Sequence, residues 1–244
     1  MLPLIIVYDL GIKNGTAVRL VASLCQVELR KFNFNYWPPH ARNLFSYHFK
    51  PMIVAQSLRE FPGGFWWADT SIRWRPTERG EQTVLSLIEQ RQLHFSLLFF
   101  PAFSIFSTTH PDMYDYLPTN RNLAKSTRQG AGGFLFATDS LTTRRIVAWW
   151  LLCALERACM APVHAQLQCS FTESERKKQL KMETSNGHCH RYDQSAINLI
   201  LANEFHFNIS RYSPFGGDTE QFAKFATIRG NSSAEQPKRC NKSR

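Results

Sequence analysis

The residues best placed to do chemistry are Asp69-Thr70-Ser71, a polar triplet directly after the hydrophobic run Phe65-Trp-Trp-Ala68. A continuous apolar run of this length reads as a buried strand. In open α/β sheets ligands gather beyond the carboxyl ends of strands, so Asp69 is the first place to look for a ligand. A carboxylate there offers charge and two acceptor oxygens; it also serves as an ordinary turn residue that takes backbone N–H groups. Asp193 opens the segment Asp193-Gln-Ser-Ala-Ile-Asn198, and an Asp ahead of an apolar helical run is a favoured N-cap as well as a candidate for chemistry. Asp9, after the first apolar run, is open to the same two readings. Gly132-Gly133 lets backbone approach a ligand closely or simply provides a turn. His94, His110 and His164 are scattered and carry no HExxH or His-x-His spacing, so they read as structural.

The elements that must position these residues follow from periodicity and punctuation. Leu4-Ile-Ile-Val-Tyr8 reads as a strand, Thr16 to Leu24 as a helix, and the alternating Val27-Glu-Leu-Arg-Lys-Phe32 as a second strand paired in parallel with the first. His40–Phe61 has near-helical spacing, with Pro51 kinking or dividing it. Gly80–Gln92 reads as helical and Phe95–Phe106 as one or two strands interrupted by Pro101. Thr108–Gln129 is polar and loop-like, and Phe134-Leu-Phe136 reads as a short strand. Thr142 or Thr143 can cap a helix running to Met160, apolar nearly all round and therefore expected to be buried. Gln168–His188 reads as a polar connection before the last helix, from Asp193 through Leu201. Trp66, Trp67, Trp149 and Trp150 read as core, and Trp74 is a candidate stacking platform.

An apolar fraction of 43% with 20% charged residues excludes a mainly disordered chain. No apolar run reaches the eighteen or so residues of a spanning helix, so no membrane segment is expected, and the opening residues do not read as a signal peptide. The net charge is +10, of which +4 lies in a basic tail from Ile228 to Arg244, expected to be disordered; residues 1–227 form one domain. Such basicity favours anionic partners, yet no zinc-finger spacing, aromatic RNA-binding strand or basic helix accompanies it, so nucleic acid ranks last among partners. Six cysteines form no CxxC pair, which argues against a zinc ribbon or thioredoxin-type motif. Sequons at Asn14, Asn208, Asn231 and Asn241 fit a secretory-pathway protein in which cysteines pair as disulfides.

Several phrases occur in an informative order: Val7-Tyr-Asp-Leu-Gly11, Val27-Glu-Leu-Arg-Lys-Phe-Asn33, Lys50-Pro51, Trp66-Trp-Ala-Asp-Thr-Ser-Ile-Arg-Trp74, Cys153-Ala-Leu-Glu156, Cys159-Met-Ala-Pro162 and His190-Arg-Tyr-Asp-Gln-Ser-Ala-Ile-Asn198. Together they resemble a largely nematode family of unknown function, whose pattern looks like the GT-A nucleotide-sugar glycosyltransferases. The resemblance implies an α/β fold with a mixed, mostly parallel sheet flanked by helices. It also implies a strand and a membrane anchor ahead of the first strand seen here, so the fold is expected to lack its first strand. It further implies a nucleotide-sugar donor, a glycan or protein acceptor, and a Golgi or other secretory location if a leader is missing. In GT-A enzymes two carboxylates spaced one residue apart hold manganese or magnesium against the diphosphate, because a hard cation stabilises the leaving group. Ser71 stands where the second carboxylate would be, so Asp69, Ser71 and His190 are the implied metal set. Asp193 and Gln194 are the implied acceptor-positioning pair. Asp9, Lys50, Asp69 and Arg73 are the implied nucleotide and phosphate contacts, and Gly132 and Gly133 lie on the acceptor side. A rival expectation is a secretory or cell-surface scaffold that keeps the fold without turnover.

Overall fold

The computed structural model describes residues 4–74, 80–169, 189–223 and 226–228. The chain opens with the strand-helix-strand unit that its sequence encodes. β1 (Ile5–Asp9) and β2 (Val27–Lys31) pair in parallel, with Val7 opposite Leu29 and α1 (Gly15–Ala22) as the crossover. Asn14 starts α1: its Oδ1 accepts the Thr16 N–H at 2.9 Å, satisfying one of the donors that a helix start leaves unpaired. Arg30 of β2 donates to both carboxylate oxygens of Glu60, at 2.6 and 2.8 Å, and so ties this unit to the end of α2 (Phe49–Glu60). Pro51 neither kinks nor divides α2. It lies in the first turn, where its missing N–H removes no helical bond, and the residues before it form two short 3-10 turns, Pro39–Arg42 and Leu44–Ser46.

β3 (Phe65–Ala68), β5 (Phe95–Leu97) and β6 (Phe134–Ala137) form a three-stranded sheet in the order β3-β6-β5. It is antiparallel throughout, with Trp67 and Leu97 both opposite Leu135. β4 (Ile72–Trp74) pairs antiparallel with β7 (Ala226–Ile228), so Ile228, the first residue assigned to the tail, is part of a strand. The residues beyond it lie outside the described ones. The architecture is therefore mixed α/β, with small sheets flanked by helices, and among the described strands only β1 and β2 pair in parallel. This corrects the mostly parallel sheet expected. Continuous apolar strands signal burial on both faces, which parallel sheets usually have, but they do not encode strand direction.

Within the stretch expected as loop lie two short helices, α4 (Met113–Tyr116) and α5 (Arg121–Ser126), after α3 (Gly80–Gln90). α6 (Leu141–Leu155) is capped by Ser140 rather than by either threonine; its Oγ accepts the Thr143 N–H at 3.0 Å. The helix stops five residues short of Met160 because Glu156 leaves the helical conformation and caps α7 (Arg157–Met160), accepting the Ala158 N–H. The Cys153–Cys159 disulfide spans that break. Nor is α6 buried all round: Trp150 is fully buried, whereas Trp149 and Leu152 are about half exposed. α8 (Asp193–Glu204) and α9 (Thr219–Ala223) follow. Cys169 and Cys189 are joined across the polar connection, of which residues 170–188 lie outside the described ones. Cys25 is disulfide-bonded as well.

Two apolar clusters sandwich the β3-β6-β5 sheet. Trp67, Leu97 and Leu135 face Met52 and Ile53 of α2, Ile146 and Trp150 of α6, and Ile197 and Leu201 of α8; α2 and α8 both pack on α6. Trp66, Phe134 and Phe136 face Val84 and Ile88 of α3 on the other side. Because side chains alternate along a strand, Asp69 follows Trp67 toward the α2-α6-α8 layer, and this brings the carboxyl end of β3 to the starts of α2 and α8.

Candidate functional site

The first turn of α2 carries Lys50 into this junction. Residues 49–54 are all buried, and the Lys50 side chain is only 4% exposed. Its Nζ stands 2.8 Å from Asp193 Oδ2, 3.3 Å from Asp69 Oδ1, 3.4 Å from Asp69 Oδ2 and 3.3 Å from the Gly132 carbonyl oxygen. The Asp193 contact lacks the alignment of a directed hydrogen bond and is held by charge. The rings of Tyr47 and Trp67 lie 5.5 and 5.8 Å from the ammonium, within cation–π range. A buried ammonium without partners would be costly; this one is surrounded by four oxygens and two aromatic faces.

Asp69 is fixed by its own strand end. Its N–H donates to the Gly133 carbonyl at 2.8 Å, its carbonyl accepts the Ile72 N–H at 2.9 Å, and Trp67 Nε1 donates to Oδ1 at 2.8 Å. Its side chain is 34% exposed, which makes it the carboxylate in this group with an open face. Asp193 is its closed counterpart, 5% exposed in the first turn of α8. It does not cap that helix. Tyr192 occupies the cap position with φ 48° and ψ −114°, a backbone region that costs a non-glycine residue about 1–3 kcal/mol. The surroundings hold it there: Tyr192 OH donates to the Ala165 carbonyl at 3.1 Å, the Tyr192 carbonyl accepts the Ala196 N–H at 3.0 Å, and Trp150 Nε1 donates to the Asp193 carbonyl at 3.0 Å.

Gly132 and Gly133 are required by these carboxylates. A Cβ on Gly133 would stand 2.9 Å from Asp69 Oδ2, and one on Gly132 would stand 3.0 Å from Asp193 Oδ2. What approaches the glycine backbone is thus the protein's own acid pair. Gln194 is also turned inward, its Oε1 accepting the Gly132 N–H at 3.2 Å and its Nε2 donating to Gln129 Oε1 at 2.6 Å. Asn198, one turn along α8, clamps the same loop: Oδ1 accepts the Gly130 N–H and Nδ2 donates to the Gly130 carbonyl, both at 2.7 Å. Gln129 and Asn198 are the site residues that sequence reading missed. The available signals were the four-residue spacing from Gln194 to Asn198 and the position of Gln129 just before the glycine loop.

Six candidates therefore converge: Lys50, Asp69, Gly132, Gly133, Asp193 and Gln194. Asp9, Ser71 and His190 do not join them. Asp9 is a turn residue, its Oδ1 accepting the N–H groups of Gly11 at 2.8 Å and Ile12 at 2.6 Å, which hold its carboxyl below the usual range. Ser71 is half-buried in the turn between β3 and β4. Arg73 sits opposite Thr227 on β4, and its side chain lies outside the described residues, as does that of Trp74. His190 corrects the metal set. It is fully buried, Nδ1 accepting the His110 N–H at 3.1 Å and Nε2 donating to the Met160 carbonyl at 3.0 Å, so neither ring nitrogen is left to face a cation. Burial pushes its pKa down to about 4. Lys50 needs a correction too: as a phosphate contact it is already engaged by two carboxylates.

Burial pushes the Lys50 ammonium toward neutrality, the Asp193 and Asp69 carboxylates push harder the other way, and its pKa lies above the ordinary value. For Asp193 burial outweighs the pull of Lys50, and its carboxyl lies above the usual carboxylate range. Manganese or magnesium (Mn2+ or Mg2+) fits this arrangement poorly. Among the described residues no group of three or more His, Cys, Asp or Glu converges as a ligand set, and the acid pair that could start one encloses an ammonium.

A family model described as a protein of unknown function (DUF1647) matches residues 3–55, which spans the β1-α1-β2 unit and the start of α2 with Lys50. No curated protein and no solved structure matches the chain.

Proposed function

We propose that this chain is a GT-A-like glycosyltransferase domain that binds a nucleotide sugar and passes the sugar to a hydroxyl of a glycan or protein acceptor. The observation that carries the reading is the open carboxylate of Asp69, held by Trp67 and Lys50 at the carboxyl end of β3 and pressed against a glycine loop. In the reaction the acceptor oxygen forms a bond to the anomeric carbon, the nucleoside diphosphate departs with the electrons of the old bond, and the hydroxyl proton passes to Asp69. Asp193 and Gln194 are positioning residues: Asp193 anchors Lys50, and Gln194 fixes the Gly132 N–H. The disulfides Cys153–Cys159 and Cys169–Cys189 support a Golgi or other secretory location, since such bonds persist in oxidising compartments.

The test is release of nucleoside diphosphate from a panel of nucleotide sugars in the presence of glycan acceptors, comparing the full chain with Asp69→Asn. Release by the wild type that falls by a hundredfold or more in the variant, the order expected for loss of a catalytic base, supports transfer. One observation favours a scaffold without turnover: Asp193 and Gln194 both spend their polar groups inside the protein. A folded wild type that releases nothing from any donor selects that second reading.

A further inference from the structure

We infer that the Lys50 ammonium is the resident cation of this site and that the Asp69–Asp193 pair binds no divalent metal. The inference deepens the transferase reading and rests on it only for the metal that a diphosphate would call for. Four oxygens surround Nζ at 2.8 to 3.4 Å, the spacing of N–H···O contacts. Magnesium demands oxygens at about 2.0–2.1 Å in near-octahedral array, so a metal in this position would require every one of them to close in by roughly 1 Å.

The exchange is also closed electrostatically. Asp193 cannot turn to a metal without releasing Lys50, and Lys50, with a side chain 4% exposed beneath Tyr47 and Trp67, would become a buried charge that has lost its nearest counterion and keeps only the partly exposed Asp69 at 3.3 Å. Asp69 alone keeps an open face, and one carboxylate is a poor set for a hard dication. Among the described residues no His, Cys or further acid completes a ligand set: both His190 nitrogens are bonded to backbone, and the Gln194 amide is engaged at both ends. A tethered ammonium thus gives the acid pair a permanent counterion whatever the metal concentration.

The test is a titration of metal-stripped full-length protein with Mn2+ alone, following free Mn2+ by electron paramagnetic resonance. Wild type is expected to take up none that Asp69→Asn or Asp193→Asn abolishes; uptake unchanged by both variants lies elsewhere and supports the inference. Uptake of one equivalent that either variant abolishes overturns it. In Lys50→Gly, shown to be folded by circular dichroism, the vacated position between two carboxylates is expected to gain one equivalent of Mn2+. A folded Lys50→Gly that gains none overturns the claim that the ammonium fills a cation position, and if that variant does not fold the other three titrations decide. A nucleotide panel run in EDTA separates the two ideas: if no nucleotide raises the melting temperature, the transferase reading fails while the manganese result stands.

Discussion

Replacing Lys50 with Met keeps most of the methylene stem and removes the ammonium, leaving Asp193 buried with no counterion. Both side chains of this ion pair are about 95% buried, and removing one partner of such a pair typically costs about 3–5 kcal/mol. In a chain of this size that lowers the melting temperature by roughly 6 to 20 °C. The cost depends on pH, and the direction can be worked out. Asp193 already has a folded pKa above its unfolded value because it is buried, and Lys50 is what restrains that rise; without Lys50 the folded pKa climbs further. A carboxyl with a raised folded pKa favours the folded state at low pH, and that contribution is lost as pH rises from about 3.9 through the raised value, at about 1.4 kcal/mol per unit. The deficit of Lys50→Met against wild type is therefore expected to be small near pH 5 and full at pH 7.5. Urea unfolding at both pH values measures it, and titrations shared by the two proteins cancel. A deficit below about 1 kcal/mol at pH 7.5, the scale of an exposed pair, or one equal at both pH values, would refute the reasoning.

Gly133→Ala should push the Asp69 carboxylate off its seat, since the new Cβ would stand 2.9 Å from Oδ2; the overpacking costs about 1–3 kcal/mol, read by the same unfolding assay. Asn198→Ala leaves the Gly130 N–H and carbonyl without their partner, and at about 1–3 kcal/mol for each buried group it should destabilise more than Gly133→Ala. His48 and His190 both have pKa values pushed down to about 4 by burial. A depressed folded pKa gives stability that is present above the unfolded value and lost as pH falls, so wild type should lose stability between about pH 6.5 and pH 4, and His190→Gln should flatten that profile. Asn14 and Asn208 are exposed and hold turns at α1 and at residues 209–211. Expression through a secretory pathway should add glycan mass removable by an amidase, with Asn14→Gln and Asn208→Gln each removing one increment.

Local signals were legible where one residue type decides the outcome. Asp69, after four apolar residues, was identified as the strand-end carboxylate, and the β1-α1-β2 unit followed from the alternation of Val27–Phe32. The convergence of Lys50, Asp69 and Asp193 was not legible, because it depends on α2 and α8 meeting over one end of β3 across more than a hundred residues of chain. Lys50 reads as a phosphate contact and Asp193 as a helix cap or an acceptor-positioning residue, and no sequence signal shows that each is the other's counterion. The direction of β3, β5 and β6 could not be read from apolar composition, which reports burial and not polarity. Trp149 and Leu152 show a further gap: an apolar α6 implied burial all round, yet only one side of the helix is covered by α2 and α8.

The most direct test of the site at the end of β3 is the thermal stability of the full chain with a panel of nucleoside diphosphates, each in EDTA and in manganese, for wild type and Asp69→Asn. The expected result is a rise in melting temperature for one nucleotide, equal in EDTA and manganese and retained in Asp69→Asn, because without a bridging metal the Asp69 carboxylate gives a diphosphate no attraction. No rise with any nucleotide in folded wild type, or a rise that appears only with manganese and is lost in Asp69→Asn, would contradict a metal-free donor site at the end of β3.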